Sequence, residues 1–123
     1  MLEALRELAS RIAGLTLYTQ FEDRRRLHAA AVFVNNFTNY LLRNAEEIVG
    51  KTAIPFSVLQ PLAEETVRKA FSISPAEAQT GPAIRGDEKT IAAHKELLAG
   101  SPDIKAVYEF LTAAIRKGGQ STS

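Results

Sequence analysis

The sequence predicts an all-α fold in the form of a helical bundle, and three observations indicate it. Apolar residues recur every three or four positions through most of the 123 residues, which is the spacing of one helix face. Proline preceded by a capping residue opens two of these runs, at Ser74-Pro75 and Ser101-Pro102. A single short segment, residues 15–19, alternates in the manner of a β-strand.

The composition is that of one globular domain and excludes several classes of function. The chain is 46% hydrophobic and 24% charged with a formal net charge of +1, so its charge favours neither nucleic acid nor anionic lipid. It has no cysteine, which excludes thiol catalysis, iron–sulfur clusters and cysteine-ligated zinc. No apolar run is long enough to span a bilayer and no signal peptide is evident. We expect a cytoplasmic location.

The first 20 residues predict a helix followed by the lone strand. Residues 2–12 have helical periodicity and Gly14 stands where a C-terminal cap belongs. A strand without neighbours leaves its backbone groups unpaired, and even a two-stranded hairpin is marginal in isolation. The sheet to which residues 15–19 belong is therefore expected in a partner chain or in sequence outside this chain.

The longest predicted helix covers residues 22–49 and ends at Gly50. Residues 29–34 are apolar on every side of this helix, which is typical of a helix buried on every side. In a domain of this size, such burial favours contact with a second copy. The predicted core stripe comprises Ala30, Val34, Phe37, Leu41, Ala45 and Ile48.

Further helices are predicted in the rest of the chain. One covers residues 54–71, a short turn of helix follows the N-cap at Ser74, and a third begins at Asp87 and stops before Gly100. The last begins at Pro102, and residues 118–123 have no apolar anchor, so we predict a flexible tail there. The inward-facing residues are predicted to be Leu59, Leu62, Val67, Ala70, Ile91, Leu97, Leu98, Ile104, Val107, Leu111, Ala114 and Ile115.

A line of polar residues crosses the longest predicted helix. At about 100° per residue, four side chains fall within roughly 20° of one line, and Asn36 and Arg43 flank them. Asparagine is a poor helix former, so these residues either orient a substrate or pair with loop ends or across a dimer axis. His28 is a candidate acid or base, although a lone histidine in a helix is more often a packing residue. The four side chains that fall on this polar line are His28, Asn35, Asn39 and Glu46.

The segment of residues 80–87 is the second candidate site. Its two glycines permit unusual backbone angles, and Thr80, Arg85 and exposed amides could hold an anion. The alternative is a structural connection in which Asp87 only caps the next helix. His94 is expected on a solvated face. Neither a metal-ligand spacing nor a dinucleotide or phosphate-binding glycine motif is present, so no metal and no cofactor site is predicted in this chain.

Three segments, residues 28–41, 61–66 and 80–87, resemble successive signatures of a helical domain of unknown function. That domain follows a Rossmann domain in bacterial NADP-dependent oxidoreductase-like proteins, which are similar to pyrroline-5-carboxylate reductase and the deazaflavin-dependent NADP reductases. The resemblance implies a dimerisation domain of the 6-phosphogluconate dehydrogenase and pyrroline-5-carboxylate reductase type. Residues 1–20 would be the end of a missing Rossmann domain, 21–117 the helical domain and 118–123 the tail.

The resemblance also implies roles for particular residues. NADP(H) would bind the missing Rossmann domain, so this chain would be inert by itself, and it would form a homodimer. Val34-Asn35-Asn36-Phe37 stands where the proline-biosynthetic reductases have a Ser-Gly-Pro-type motif, which argues against their substrate. The alternative function is a stand-alone helical interaction module that homodimerises. The implied substrate-binding residues are Asn35, Asn36, Asn39, Thr80, Gly81, Pro82 and Arg85, with His28, Asn36 and Thr80 as catalytic candidates.

Overall fold

The computed structural model describes residues 9–11 and 21–121, and these residues contain helices and no strand, which confirms the all-α prediction for this part of the chain. Residues 9–11 are helical, as predicted, whereas the predicted strand at residues 15–19 lies outside the described residues. The chain divides into two compact units, Met1–Ile54 and Pro55–Ser123. No helix in the described part of the chain is both long and apolar enough to cross a membrane.

The first unit contains one long helix that agrees with the predicted residues 22–49. Helix α1 covers Phe21–Val32, a π-helical segment covers Phe33–Phe37, and helix α2 covers Thr38–Val49. The π segment was not predicted. It adds a residue to a helical turn and rotates everything after it by about 100° relative to an uninterrupted α-helix. His28 and Glu46 lie on opposite sides of this segment, so the predicted straight polar line does not persist along the helix.

The predicted core stripe of the long helix is largely exposed in the single chain. Val34 is 64% exposed, Phe37 48% and Leu41 43%. The apolar character of these residues was read correctly, but the pattern of a sequence cannot show whether anything covers a face. The buried residue of α2 is instead the polar Asn44, which is 8% exposed.

The second unit begins with a 3-10 helix, Phe56–Leu59, which continues as helix α3, Gln60–Ser72. Two four-residue helices follow, α4 at Pro75–Ala78 and α5 at Pro82–Arg85. Helix α6 covers Glu88–Leu97 and helix α7 covers Pro102–Ser121. The segment of residues 80–87, predicted to be a connection, contains the helical turn α5. Helix α7 continues to Ser121 and so includes most of the residues that we predicted to form a flexible tail.

The core of the second unit lies where α6, the turn that follows it and α7 meet. Ile91, Leu98 and Ile104 are 4%, 6% and 8% exposed, and all three were predicted to face inward. Leu62 and Val67, also predicted to be inward, are 65% and 53% exposed. The periodicity of α3 therefore marks an apolar face that the described residues do not cover.

Candidate functional site

Two glycines shape the segment around α5 that the sequence singles out. Gly81 precedes the helix with φ +107° and Gly86 follows it with φ +68°, both in the range that favours glycine. The Gly86 N–H donates to the Ala83 carbonyl at 3.2 Å and the Asp87 N–H donates to the Pro82 carbonyl at 2.9 Å. These bonds close the turn and fix the exit of the chain toward α6. A Cβ at either glycine would meet no atom within 4 Å beyond the adjacent residues, so the backbone angle is what requires glycine there.

Asp87 performs the predicted capping of α6. Its Oδ1 accepts from the Thr90 N–H at 3.2 Å and its Oδ2 accepts from the Thr90 hydroxyl at 2.8 Å. The side-chain bond from Thr90, followed by the backbone bond, lowers the pKa of the Asp87 carboxyl below its ordinary value. Arg85 lies close by, with its Nη2 3.9 Å from Oδ2 of the same carboxylate. The structural interpretation of Asp87 is thus correct, and both of its oxygens are already occupied.

A cavity of about 480 Å³ opens beside α5 and contains three charged side chains. Arg116, on α7, places its Nη2 2.5 Å from Oε1 of Glu88, at the start of α6. Arg85 contributes from α5, so the cavity wall has two guanidinium groups and one carboxylate. We name it the arginine cavity. It is lined by Ala83, Ile84, Arg85, Gly86, Glu88, Arg116 and Gly119.

Thr80 lines a different cavity, of about 290 Å³, between α3 and α4. Leu62 and Thr66, which belong to the second of the three resembling segments, line it as well. The Thr66 hydroxyl donates to the Leu62 carbonyl at 2.8 Å, and the Gln79 amide donates to the Thr80 carbonyl at 3.0 Å. Residues from the second and third signatures therefore meet in one cavity, although Thr80 and Arg85 line separate ones.

The asparagines of the first unit lie on or next to the π segment. Asn35 and Asn36 are within it, Asn39 follows in the first turn of α2, and all three are exposed. Phe33 and Phe37 meet edge to face across the segment with ring centroids 4.8 Å apart. π segments are rare and occur frequently at functional sites, which gives these amides a structural distinction that spacing alone did not reveal.

The two histidines behave differently from each other. His28 is exposed on α1. His94 was expected on a solvated face, but it is half-buried and its Nδ1 lies 2.8 Å from the Tyr108 hydroxyl. The expectation for His94 is therefore wrong, because its partner belongs to the next helix. Within the described residues, no three or more His, Asp or Glu side chains are grouped so that they could hold a metal ion.

Two residues of the arginine cavity were missed by sequence reasoning. Glu88 and Arg116 are 28 positions apart, and no spacing rule joins residues on two separate helices. The sequence signal that did exist was Arg85, in the segment of residues 80–87. It identified one wall of the arginine cavity but not the other.

Comparison with known proteins gives one family and a related solved structure. The family model described as a domain of unknown function, DUF2520, matches residues 1–115. A solved crystal structure is described as that of "putative NADP oxidoreductase BF3122" from Bacteroides fragilis. Its sequence is 44% identical to this chain over the matched region, and the two structures superpose with a TM-score of 0.77. That match covers 80% of this chain but 38% of the other, so this chain spans well under half of its relative's length. None of the curated proteins compared with the chain is similar to it.

Proposed function

This chain belongs to the DUF2520 family, and on that premise we propose that it is the C-terminal helical domain of an NADP-dependent oxidoreductase. The observation that carries the proposal is the 44% identity to a chain of that description, of which this sequence corresponds to 38%. The remainder of such a parent has room for a dinucleotide-binding domain. This chain has no dinucleotide-binding glycine motif of its own, in agreement with that division of labour.

In this proposal the helical domain supplies polar contacts to the substrate, while the dinucleotide domain supplies NADP(H). The exposed amides of Asn35, Asn36 and Asn39 and the segment from Thr80 to Arg85 are the contacts that we assign. Amide and hydroxyl groups can donate hydrogen bonds to the oxygen or nitrogen of a carbonyl or imine as it accepts hydride. Alone, the chain would hold no hydride donor and would be inert.

The turnover test uses the full-length parent with NADPH and a panel of carbonyl and imine substrates. Asn36→Ala and Thr80→Ala are expected to lower kcat/KM for any substrate found, each by about tenfold or more. Thr52→Ala is the matched control. It also removes an exposed threonine hydroxyl, but Thr52 is not one of the assigned substrate contacts, so turnover should be unchanged. Unchanged turnover in both test variants would refute the assigned contacts, and absence of NADPH binding by the parent would refute the proposal itself.

The domain is also proposed to form a homodimer through the long helix of the first unit. Phe33 and Val34 are 67% and 64% exposed, and Phe37 and Leu41 are further exposed apolar side chains on the same long helix. Exposed apolar patches of this kind mark interaction sites. In a symmetric dimer, the same apolar side chains of a second copy would cover these residues.

Sedimentation of the chain tests the dimer. Val34→Asp is expected to convert a dimer to a monomer, because a carboxylate buried at an apolar interface is costly. Val58→Asp is the matched control, since Val58 is 58% exposed but lies on the 3-10 helix of the second unit. A wild-type chain that sediments as a monomer at high concentration, or equal effects of the two substitutions, would contradict the assigned interface.

A further inference from the structure

We infer that the arginine cavity is a binding site for a small carboxylate, with Arg85 and Arg116 as its cationic contacts and Glu88 as an internal competitor. This deepens the proposed function by giving Arg85 a class of ligand. The claim that this ligand is the substrate rests on the proposed function. The claim that the cavity binds a carboxylate does not, because binding to this chain can be measured whether or not the parent is an oxidoreductase.

The size and shape of the cavity fit a small molecule. Its volume of about 480 Å³ lies within the range of small-molecule sites. One wall is the turn α5, held by the two positive-φ glycines, and another is the α7 segment with Arg116 and Gly119. At Gly119, a Cβ would lie 2.8 Å from the Ile84 Cδ1, so the absence of a side chain there lets the two walls approach.

The charges within the cavity favour an anion. Among its lining residues are two arginines and one glutamate, which leaves one positive charge in excess. Asp87, the neighbouring carboxylate, already accepts bonds from Thr90 on both oxygens and stays 3.9 Å from Arg85. No hydrogen bond engages the Arg85 guanidinium among the described residues, and that side chain is 60% exposed. Its planar fork of donors is therefore available to a ligand.

The Arg116–Glu88 pair places a carboxylate directly against one guanidinium of the cavity. Both residues line the cavity, but the Glu88 side chain is 72% exposed whereas the Arg116 side chain is 35% exposed, so Glu88 is the more solvent-accessible partner of the pair. Exposed ion pairs contribute little to stability, and Glu88 can leave without disturbing the fold. A ligand carboxylate can then occupy the same guanidinium, which binds carboxylates in preference to spherical anions because of its bidentate geometry.

The test is a titration of the 123-residue chain with sodium succinate at constant ionic strength, followed by NMR of the backbone amides of residues 83–88. We expect saturable shifts in these amides. Glu88→Gln should tighten the dissociation constant roughly three- to tenfold, because it removes the competing charge. Arg85→Ala and Arg116→Ala should each weaken it about tenfold or more.

Arg68→Ala is the matched control, since Arg68 is exposed on α3, pairs with Glu65 there and does not line the cavity. It removes the same charge and should leave succinate binding unchanged. Shifts that do not saturate, equal weakening by Arg68→Ala and Arg85→Ala, or no tightening by Glu88→Gln would each overturn the site. Saturable binding of inorganic phosphate but not of succinate would overturn the assignment to carboxylates. A parent that lacks oxidoreductase activity would leave these binding results as they are.

Discussion

His94 Nδ1 lies 2.8 Å from the Tyr108 hydroxyl oxygen, and the two rings meet edge to face with centroids 5.6 Å apart. The pair links α6 to α7 beside the core residues Ile91 and Ile104. Both side chains are half-buried, so the bond is partly shielded from water. The contact is therefore a polar interaction between α6 and α7, the two helices that contribute Glu88 and Arg116 to the arginine cavity.

Tyr108→Phe removes the hydroxyl and keeps the ring. The expected loss is about 0.5–1.5 kcal/mol in the free energy of unfolding, the usual net value of one hydrogen bond. Urea denaturation measures it. Tyr40→Phe is the control, because Tyr40 is 44% exposed on α2, and its substitution should change stability by less than about 0.5 kcal/mol. Equal effects of the two substitutions would show that the bond between His94 and Tyr108 contributes nothing.

Asp87 is expected to make the stability of the chain sensitive to acid. Its pKa is lowered in the folded chain by the bonds from Thr90, so the unfolded chain binds a proton more readily. The stabilisation by this carboxylate is therefore complete above the unfolded pKa, near 4, and is lost as the pH falls through the lower folded value. The pKa of Glu65 is also lowered, chiefly by its side-chain bond with Arg68, and adds to the same trend.

Asp87→Asn separates the two contributions. The amide oxygen can still accept from the Thr90 N–H, so at neutral pH Tm should fall by only about a few degrees. Because the amide does not titrate, the difference in Tm between wild type and variant should shrink below about pH 4. Thermal unfolding followed by circular dichroism from pH 2 to pH 7 measures this, and Glu65 cancels in the comparison. A Tm difference that stays constant across the range would contradict the assigned titration.

The sequence allowed the helices and their caps to be predicted because these depend on residues close together in the chain. Ser74 accepts from the Glu77 N–H at 3.2 Å and Asp87 from Thr90, both at the spacing of an N-cap. The π segment was not foreseen, since Phe33 to Phe37 carry no pattern that distinguishes an i→i+5 turn from an α-helical one. An inserted residue changes which side chains share a face, and that is how the predicted polar line came to be broken.

The candidate site was predicted only in part, because its halves are joined across space. Thr80 and Arg85 stood out through their glycine-rich segment, yet they line different cavities. Arg116 had no sequence signal, since its partner Glu88 is 28 residues away. Burial was equally hard to predict, because periodicity finds an apolar face such as that of Leu62 without showing what packs against it.

Gly118 and Gly119 are adjacent in α7 and should respond differently to alanine. A Cβ at Gly118 meets nothing within 4 Å, so Gly118→Ala should raise the free energy of unfolding by up to about 1 kcal/mol through helix propensity. A Cβ at Gly119 lies 2.8 Å from the Ile84 Cδ1, which must move aside. We therefore expect Gly119→Ala to raise the free energy of unfolding by less than Gly118→Ala does. Urea denaturation of the two variants measures the difference. A larger gain at Gly119 would show that Ile84 does not constrain that position.

Asn44 is buried in α2 at 8% exposure, and its Nδ2 has no acceptor among the described residues. A buried donor without a partner costs about 1–3 kcal/mol, whereas leucine has the same branching at Cγ, no polar atom and a better helix propensity, although it is larger than asparagine. Asn44→Leu is therefore expected to raise the free energy of unfolding by about 1 kcal/mol or more, as measured by urea denaturation.

Asn39→Leu is the matched control for this prediction, because Asn39 is exposed on the same helix. The increase in the free energy of unfolding that Asn39→Leu can give is limited to the difference in helix propensity, at most about 0.7 kcal/mol. A gain at position 44 that exceeds the gain at position 39 would assign the difference to the replacement of a buried, unpaired amide by an apolar group. A gain at position 44 no larger than the gain at position 39, or a loss of stability, would contradict the cost assigned to the buried, unpaired amide.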